Sequence, residues 1–249
     1  MIYRLNFIFW RLRVVMQILV VYFLWLALFS GRNELFGYNQ SQMLTYVLLT
    51  SLARSIILST TTMEIGSIIN QGNLSNYLIR PINFFRYYIA RDIADKSLNV
   101  LFSIGEIALL YVLLRPDIYI QSDVTMIAYG TLAVCIGMTL YFYFSLLLGF
   151  LGFWTPDVWG PRFLSFVIME FFAGGLFPLD ILPAPLFALS KSLPFFYFIY
   201  FPIKIYLGQL PIQEIIRGIF LGSVWVGVLW CAARMVWQKG LRVYTAEGK

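Results

Sequence analysis

Between residues 14 and 237 the chain is a succession of apolar runs separated by short polar breaks. A helix needs about 20 predominantly apolar residues to cross a bilayer. Runs close to that length fall at residues 14–30, 43–63, 97–114, 124–149, 163–177 and 219–237. Beyond the fifth run the apolar character continues to residue 207, across five prolines. Charged residues make up 12% of the 249, against about 25% in soluble domains. Mean hydropathy is +0.79. A chain this poor in charge has too little polar surface to face water. The expected fold is therefore all-α and integral to the membrane, with six transmembrane helices in one domain over residues 1–249.

The placement of basic residues gives an orientation. Lysine and arginine accumulate on the cytoplasmic side of membrane proteins. Twelve of the 18 fall on one side of the expected spans, five on the other, and Arg54 lies within a span. Both termini and the stretch 64–96 are thus expected in the cytoplasm. Dispersal of the charge among span ends speaks against nucleic acid as a partner, despite the net +6.

Two segments depart from simple spans. Residues 1–13 place Ile2, Leu5, Phe9 and Leu12 on one side of a helical wheel, with Arg4 and Arg11 on another. A helix lying in the membrane interface fits this pattern; a plain basic flank of the first span is the competing reading. Residues 178–205 hold Pro178, Pro183, Pro185, Pro194 and Pro202. Each proline removes a backbone donor and disrupts a helix. Broken backbone at membrane depth survives only when buried in protein or lining a wet cavity. Re-entrant helices that dip into the outer leaflet and return are expected there, before the last span.

The stretch 64–96 is the longest that cannot sit in a bilayer. Its centre, GNLSNYLIRP, carries the marks of a short helix. Gly72 breaks the preceding chain and Asn73 is a good N-cap. Leu74, Tyr77 and Leu78 follow at i, i+3, i+4 and share one face. Arg80 sits where a cation favours the helix C-terminus. Pro81 stops the helix, because the residue before a proline is pushed out of the α region. An exposed apolar stripe in this position is expected to meet a partner; packing against the chain's own span ends is the alternative.

This loop resembles the first cytoplasmic loop of permease subunits of type-2 ATP-binding-cassette exporters, in the branch that runs glycine, short helix, leucine-arginine-proline. The segments GGLFPLDILPAPL and VWQKGLRVYTAEGK are similar to that branch as well. The resemblance implies that Gly72, Asn73, Leu74, Tyr77, Leu78, Arg80 and Pro81 form a coupling helix docked on a cytoplasmic ATPase subunit. It also implies a second permease, identical or homologous, with the substrate path between the two, and Mg-ATP bound by the partner subunit.

The chemistry in the chain agrees with a passive membrane subunit. There is no G-x-x-x-x-G-K-[ST] phosphate loop, so no nucleotide site of that kind is expected. The absence of histidine removes His-based triads and ordinary zinc sites. No catalytic residue, metal or cofactor is expected in the chain itself. Cys135 and Cys231, both in apolar runs, are expected to be small buried hydrophobes.

Three charges fall within the expected spans: Arg54, Glu106 and Glu170. Each would cost roughly 2.5–3.5 kcal/mol at the bilayer centre. An Arg54–Glu106 pair between the second and third spans is one way to offset this, as a path lining or as a satisfied bundle interior. Glu170 has no obvious partner, which makes it a candidate for the path or a subunit interface. The aromatic run FFYFIYF at 195–201 reads as interface belt and packing. Trp154, Trp159 and Trp237 read as interface anchors.

The functional expectation is the permease subunit of an ATP-driven exporter in the cell's inner membrane. It would move a hydrophobic or amphipathic substrate out of the cytoplasm or inner leaflet, in contact with membrane lipid. An ATP-independent channel or scramblase is the alternative, with an intramembrane enzyme behind it.

Overall fold

The computed structural model describes residues 2–245; Met1 and the last four residues, including Lys249, lie outside them. The fold is almost wholly helical. Its helices are α1 (Ile2–Leu28), α2 (Gln40–Ile57), α3 (Ile65–Asn70), α4 (Ser75–Leu78), α5 (Phe84–Leu114), α6 (Val124–Phe150), α7 (Trp159–Phe172), α8 (Ala184–Ser192), α9 (Tyr200–Tyr206) and α10 (Ile212–Val243). Strands β1 (Glu34–Leu35) and β2 (Tyr38–Asn39) form one small antiparallel hairpin.

Four helices are long and apolar enough to cross a membrane alone: α1 over Arg11–Leu28, α5, α6 with its 3₁₀ extension to Phe153, and α10. Two bent pairs bring the number to six if each is one span. Gln40–Ile57 meets Thr61–Asn70 at 52°, and Ala184–Ser192 meets Pro194–Tyr206 at 81°. The expected fifth span, 163–177, corresponds to α7, whose 14 residues reach only about 21 Å. The chain leaves the helix there because Gly174 adopts φ +78°.

The separate interfacial helix expected at 1–13 is not seen. α1 runs unbroken for 27 residues, because no proline or glycine between Ile2 and Leu28 can stop it. The wheel positions Ile2, Arg4 and Leu5 lie outside the described side chains. The polar loop after α1 is a hairpin in which Phe36 and Gly37 both take positive φ, 54° and 79°. This is the two-residue turn whose twist suits paired strands. Asn39 then caps α2 in a reciprocal box with Gln42.

The stretch 64–96 is far more helical than a loop. Asn83 caps α5 by accepting from the Arg86 N–H, so the helix begins 13 residues before the expected span at 97. Phe84 and Tyr88, one turn apart, are buried and give these turns a face to pack.

The prolines of 178–205 do break the chain. Pro183 and Pro194 each precede or open a new helical piece. Residues 196–201 are all under 7% exposed, so FFYFIYF is core. It packs with α2 and α6 in the main apolar cluster. A second cluster, at the opposite end from the hairpin, joins α3, α5, α6 and the end of α10. Its centre is Phe84, stacked on Trp237 at 4.3 Å between ring centroids. Trp237 therefore packs inward, whereas Trp154 and Trp159 are exposed. Cys135 and Cys231 are also exposed, on outer faces of α6 and α10, which corrects their expected burial.

Candidate functional site

The loop around α4 is built from backbone geometry first. Gly72 takes φ +72° and ends α3, its N–H bonding Ile69 O at 3.1 Å. The N-cap falls at Leu74, one residue beyond the expected Asn73. Leu74 O accepts from the N–H groups of Tyr77 and Leu78, while the Asn73 side chain donates to Gln71 Oε1 at 3.1 Å. α4 is a single turn of four residues, and the chain has left the helix before Arg80 and Pro81.

The expected stripe divides. Leu74 is fully buried against Ile65, Ile69 and Phe84 and belongs to the chain's own core, not to a docking face. Tyr77 is half-buried, its ring 5.6–6.1 Å from those of Phe84, Tyr87 and Tyr88. Leu78 points outward at 44% exposed. Ile79, which was not singled out in the sequence, is 81% exposed and leads to Arg80, Pro81 and Ile82, all exposed. The signal for Ile79 was available: an apolar residue between the helix end and proline has nothing local to pack on. A groove of about 350 Å³ lies beside this turn, lined by Ile68, Asn73, Asn76, Tyr77, Arg80 and Tyr87.

The turn is fixed to the end of α10. Tyr244 Oη donates to Gly72 O at 2.5 Å and accepts from the Ser75 N–H at 3.1 Å. Ser75 Oγ donates to the same carbonyl at 2.8 Å. Gly240 lies where a Cβ would meet the Phe153 ring at 2.1 Å, so only glycine lets α10 approach closely here. The ending GLRVY thus has a structural reason for its glycine and its tyrosine.

The charges pair differently from the expectation. Arg54 does not meet Glu106. Its Nη1 donates to Glu170 Oε2 at 2.9 Å, its Nη2 to Glu170 Oε1, and Nη2 also to Gly175 O at 2.8 Å. Glu170 therefore has a partner, on α2. Glu106 accepts from Arg11 Nη1 at 3.3 Å, and Arg11 Nη2 donates to Asn99 Oδ1 at 2.9 Å. Asn99 and Glu106 are seven residues apart, on the face of α5 turned to α1. Arg54 lies on the α2 face turned to α7. Gly175 leaves room for the bidentate pair, since a Cβ there would stand 2.6 Å from Arg54 Nη2 and 2.8 Å from Glu170 Oε1; one on Gly174 would stand 2.8 Å from Tyr46 Oη.

Lys96 sits at the 58–60 break between α2 and the following 3₁₀ turn, and Arg162 at that turn itself. Lys96, at the end of the stretch expected to face water, is 5% exposed. It donates to Ile57 O at 3.4 Å and to Ser59 O, and pairs with Asp92 at 3.3 Å. Arg162 Nη2 donates to Thr62 O at 3.2 Å and Nη1 to Ser145 Oγ at 3.4 Å. Carbonyls freed by a broken helix need such partners in an apolar setting.

At the hairpin end, Lys204 Nζ donates to Asp180 Oδ2 at 2.7 Å, Tyr38 Oη at 3.0 Å and Gln209 Oε1 at 2.6 Å. The Tyr38 hydroxyl donates in turn to Asp180 Oδ1 at 3.0 Å. Burial, then the Asp180 carboxylate, push the Tyr38 hydroxyl well above its ordinary range, which keeps it a neutral donor. Among the described residues, no three His, Cys, Asp or Glu side chains gather as a metal site would require.

Comparison with known proteins completes this picture. No curated protein matches the chain. A family model described as ABC-2 family transporter protein matches residues 15–248, a range that takes in the Arg54–Glu170 pair, α4 and Tyr244. With apolar helices able to cross a membrane four to six times and a family match over nearly its whole length, the chain belongs to the ABC-2 family of transporter membrane proteins.

Proposed function

We propose that this chain is the permease subunit of an ATP-driven exporter, and that the outward side of α4 is its contact with an ATPase subunit. The observation that carries this reading is the contrast within one turn. Leu74, Tyr77 and the Tyr244 clasp fix α4 to the bundle, while Leu78 and Ile79 are left exposed. A rigidly held apolar knob beside a groove suits the transmission of a push from a partner. The partner supplies the Mg-ATP site. A second permease, identical or homologous, completes the assembly. The basic residues favour both termini and α4 on the cytoplasmic side of the inner membrane, and the broken 178–205 segment as re-entrant helices on the outer side.

The cargo on this reading is hydrophobic or amphipathic and leaves the cytoplasm or inner leaflet, with bilayer lipid around the subunit. The test is purification of the tagged full chain from its native membrane. An ATPase subunit should co-purify, and ATP should drive transport in reconstituted vesicles. Transport at the same rate without ATP would favour a channel or scramblase instead.

A further inference from the structure

We propose that a cavity beside the first turns of α10 binds the phosphate head of a membrane lipid. The cavity, of about 150 Å³, lies between α10 and the 191–210 segment. Glu214, Arg217, Gly218 and Leu221 recur on α10 at i, i+3, i+4 and i+7, so one face of the helix forms a wall. The floor is aromatic: Phe196, Tyr197 and Phe201 are all under 7% exposed. A Cβ on Gly218 would meet the Phe201 ring at 2.3 Å, so it is glycine that brings this wall down onto the floor.

Arg217 carries the assignment. It is exposed, and its guanidinium has no ion pair or hydrogen bond among the described residues. The other two charges on the lining are engaged with each other. Lys191 Nζ lies 3.7 Å from Glu214 Oε2, and 4.7 Å from the centre of the Phe187 ring. Tyr197, in the floor, is a neutral phenol at neutral pH and adds no charge. Two cations and one acid leave the cavity one net positive charge. Both cations stand on the side with fewer basic residues, so the general enrichment of lysine and arginine at span ends does not account for them. A guanidinium presents a rigid fork of donors that matches phosphate. The phosphate belongs to a lipid because an apolar track leads away from the charge. Phe220, Leu221 and Val224 follow Arg217 at i+3, i+4 and i+7, and are 65%, 42% and 47% exposed. A head on Arg217 would lay its tail along them. The volume lies below the roughly 300–1,000 Å³ of whole-ligand sites, as suits a head whose tail stays outside.

Neither ATP nor an ATPase subunit enters this proposal, so it and the exporter reading can fail separately. The full chain in dodecyl maltoside, a phosphate-free background, receives phosphatidylglycerol or galactosyl diacylglycerol, each with a diazirine on one tail. Labelling of α10 over residues 216–224 is read against labelling of the exposed face of α5. Phosphatidylglycerol should label α10 more strongly than the neutral glycolipid. Arg217→Gln should lower phosphatidylglycerol labelling there roughly threefold to tenfold, the worth of a charge-assisted hydrogen bond at an exposed site, and leave the glycolipid's unchanged. Glu214→Gln should raise it, by removing the acid and freeing Lys191. Inorganic phosphate, against chloride at equal ionic strength, should not displace the lipid; displacement would assign the cavity to a free ion and overturn the lipid claim. Equal labelling by the two lipids would overturn the proposal, and so would labelling that Arg217→Gln leaves unchanged. Absence of labelling on α10, the result if a second copy of the chain covered this face, would also overturn it.

Discussion

Tyr244 Oη donates to Gly72 O at 2.5 Å, joining the end of α10 to a loop 172 residues earlier. The same oxygen accepts from Ser75 N–H, so one hydroxyl satisfies both a carbonyl at the end of α3 and an amide at the start of α4. Tyr244→Phe should leave the bundle folded, since the ring can still pack on Phe153. It should loosen the turn by about 1 kcal/mol. Hydrogen exchange at the Ser75 and Tyr77 amides should rise about fivefold; unchanged exchange would show that the clasp holds nothing.

The Arg54–Glu170 pair is partly buried, with side chains 24% and 12% exposed. Removing one member of a buried pair leaves a lone charge and costs about 3–5 kcal/mol when burial is complete; partial exposure here puts the expectation at the lower end. Arg54→Met and Glu170→Gln should each lower the melting temperature, and the double variant should lose clearly less than their sum. The same cycle on Arg54 and Glu106 should be additive. The reverse result would restore the pairing that adjacency of the second and third spans suggests.

Lys96 bonds two carbonyls at a break in the second span. Lys96→Met fills similar volume but supplies no donor, and leaves Asp92 buried without its cation. It should destabilise by at least about 2 kcal/mol and raise protease sensitivity near residues 57–62. A variant as stable as the parent would show that water serves these carbonyls equally well.

Much of this was legible in the sequence. The ends of α5 and α6 and the breaks at Pro183 and Pro194 fall where the apolar runs and prolines put them; α2 and α7 stop earlier than their runs, and α10 goes on beyond its run. Gly72 and Pro81 bounded the short turn correctly. What was not legible was which face of each helix turns inward. Leu74 and Leu78 are equally apolar and one turn apart, yet one is core and the other exposed, because the direction of α4 depends on Tyr244 and Trp237 far along the chain. Arg54 finds Glu170 rather than Glu106 for the same reason: long-range packing, not order of spans, chooses partners.

Orientation rests on the bias of basic residues and is directly testable. In a variant with Cys135 and Cys231 replaced, single cysteines at Asn33 or Ile120 should react with a membrane-impermeant reagent added outside cells. Cysteines at Asn76 or Thr245 should react only after permeabilisation. Labelling of position 76 in intact cells would invert the topology.

The central claim is that the outward side of α4 engages the ATPase. Leu78→Ala with Ile79→Ala removes two exposed side chains and leaves Leu74 and Tyr77 in the core. Truncating a central anchor of an interface costs about 2 kcal/mol or more. The decisive measurement is co-purification of the ATPase subunit with this double variant, alongside the melting temperature of the membrane domain. The account predicts an unchanged melting temperature and at least about a thirtyfold loss of ATPase binding, with transport lost in parallel. Full retention of the ATPase and of ATP-coupled transport would contradict it.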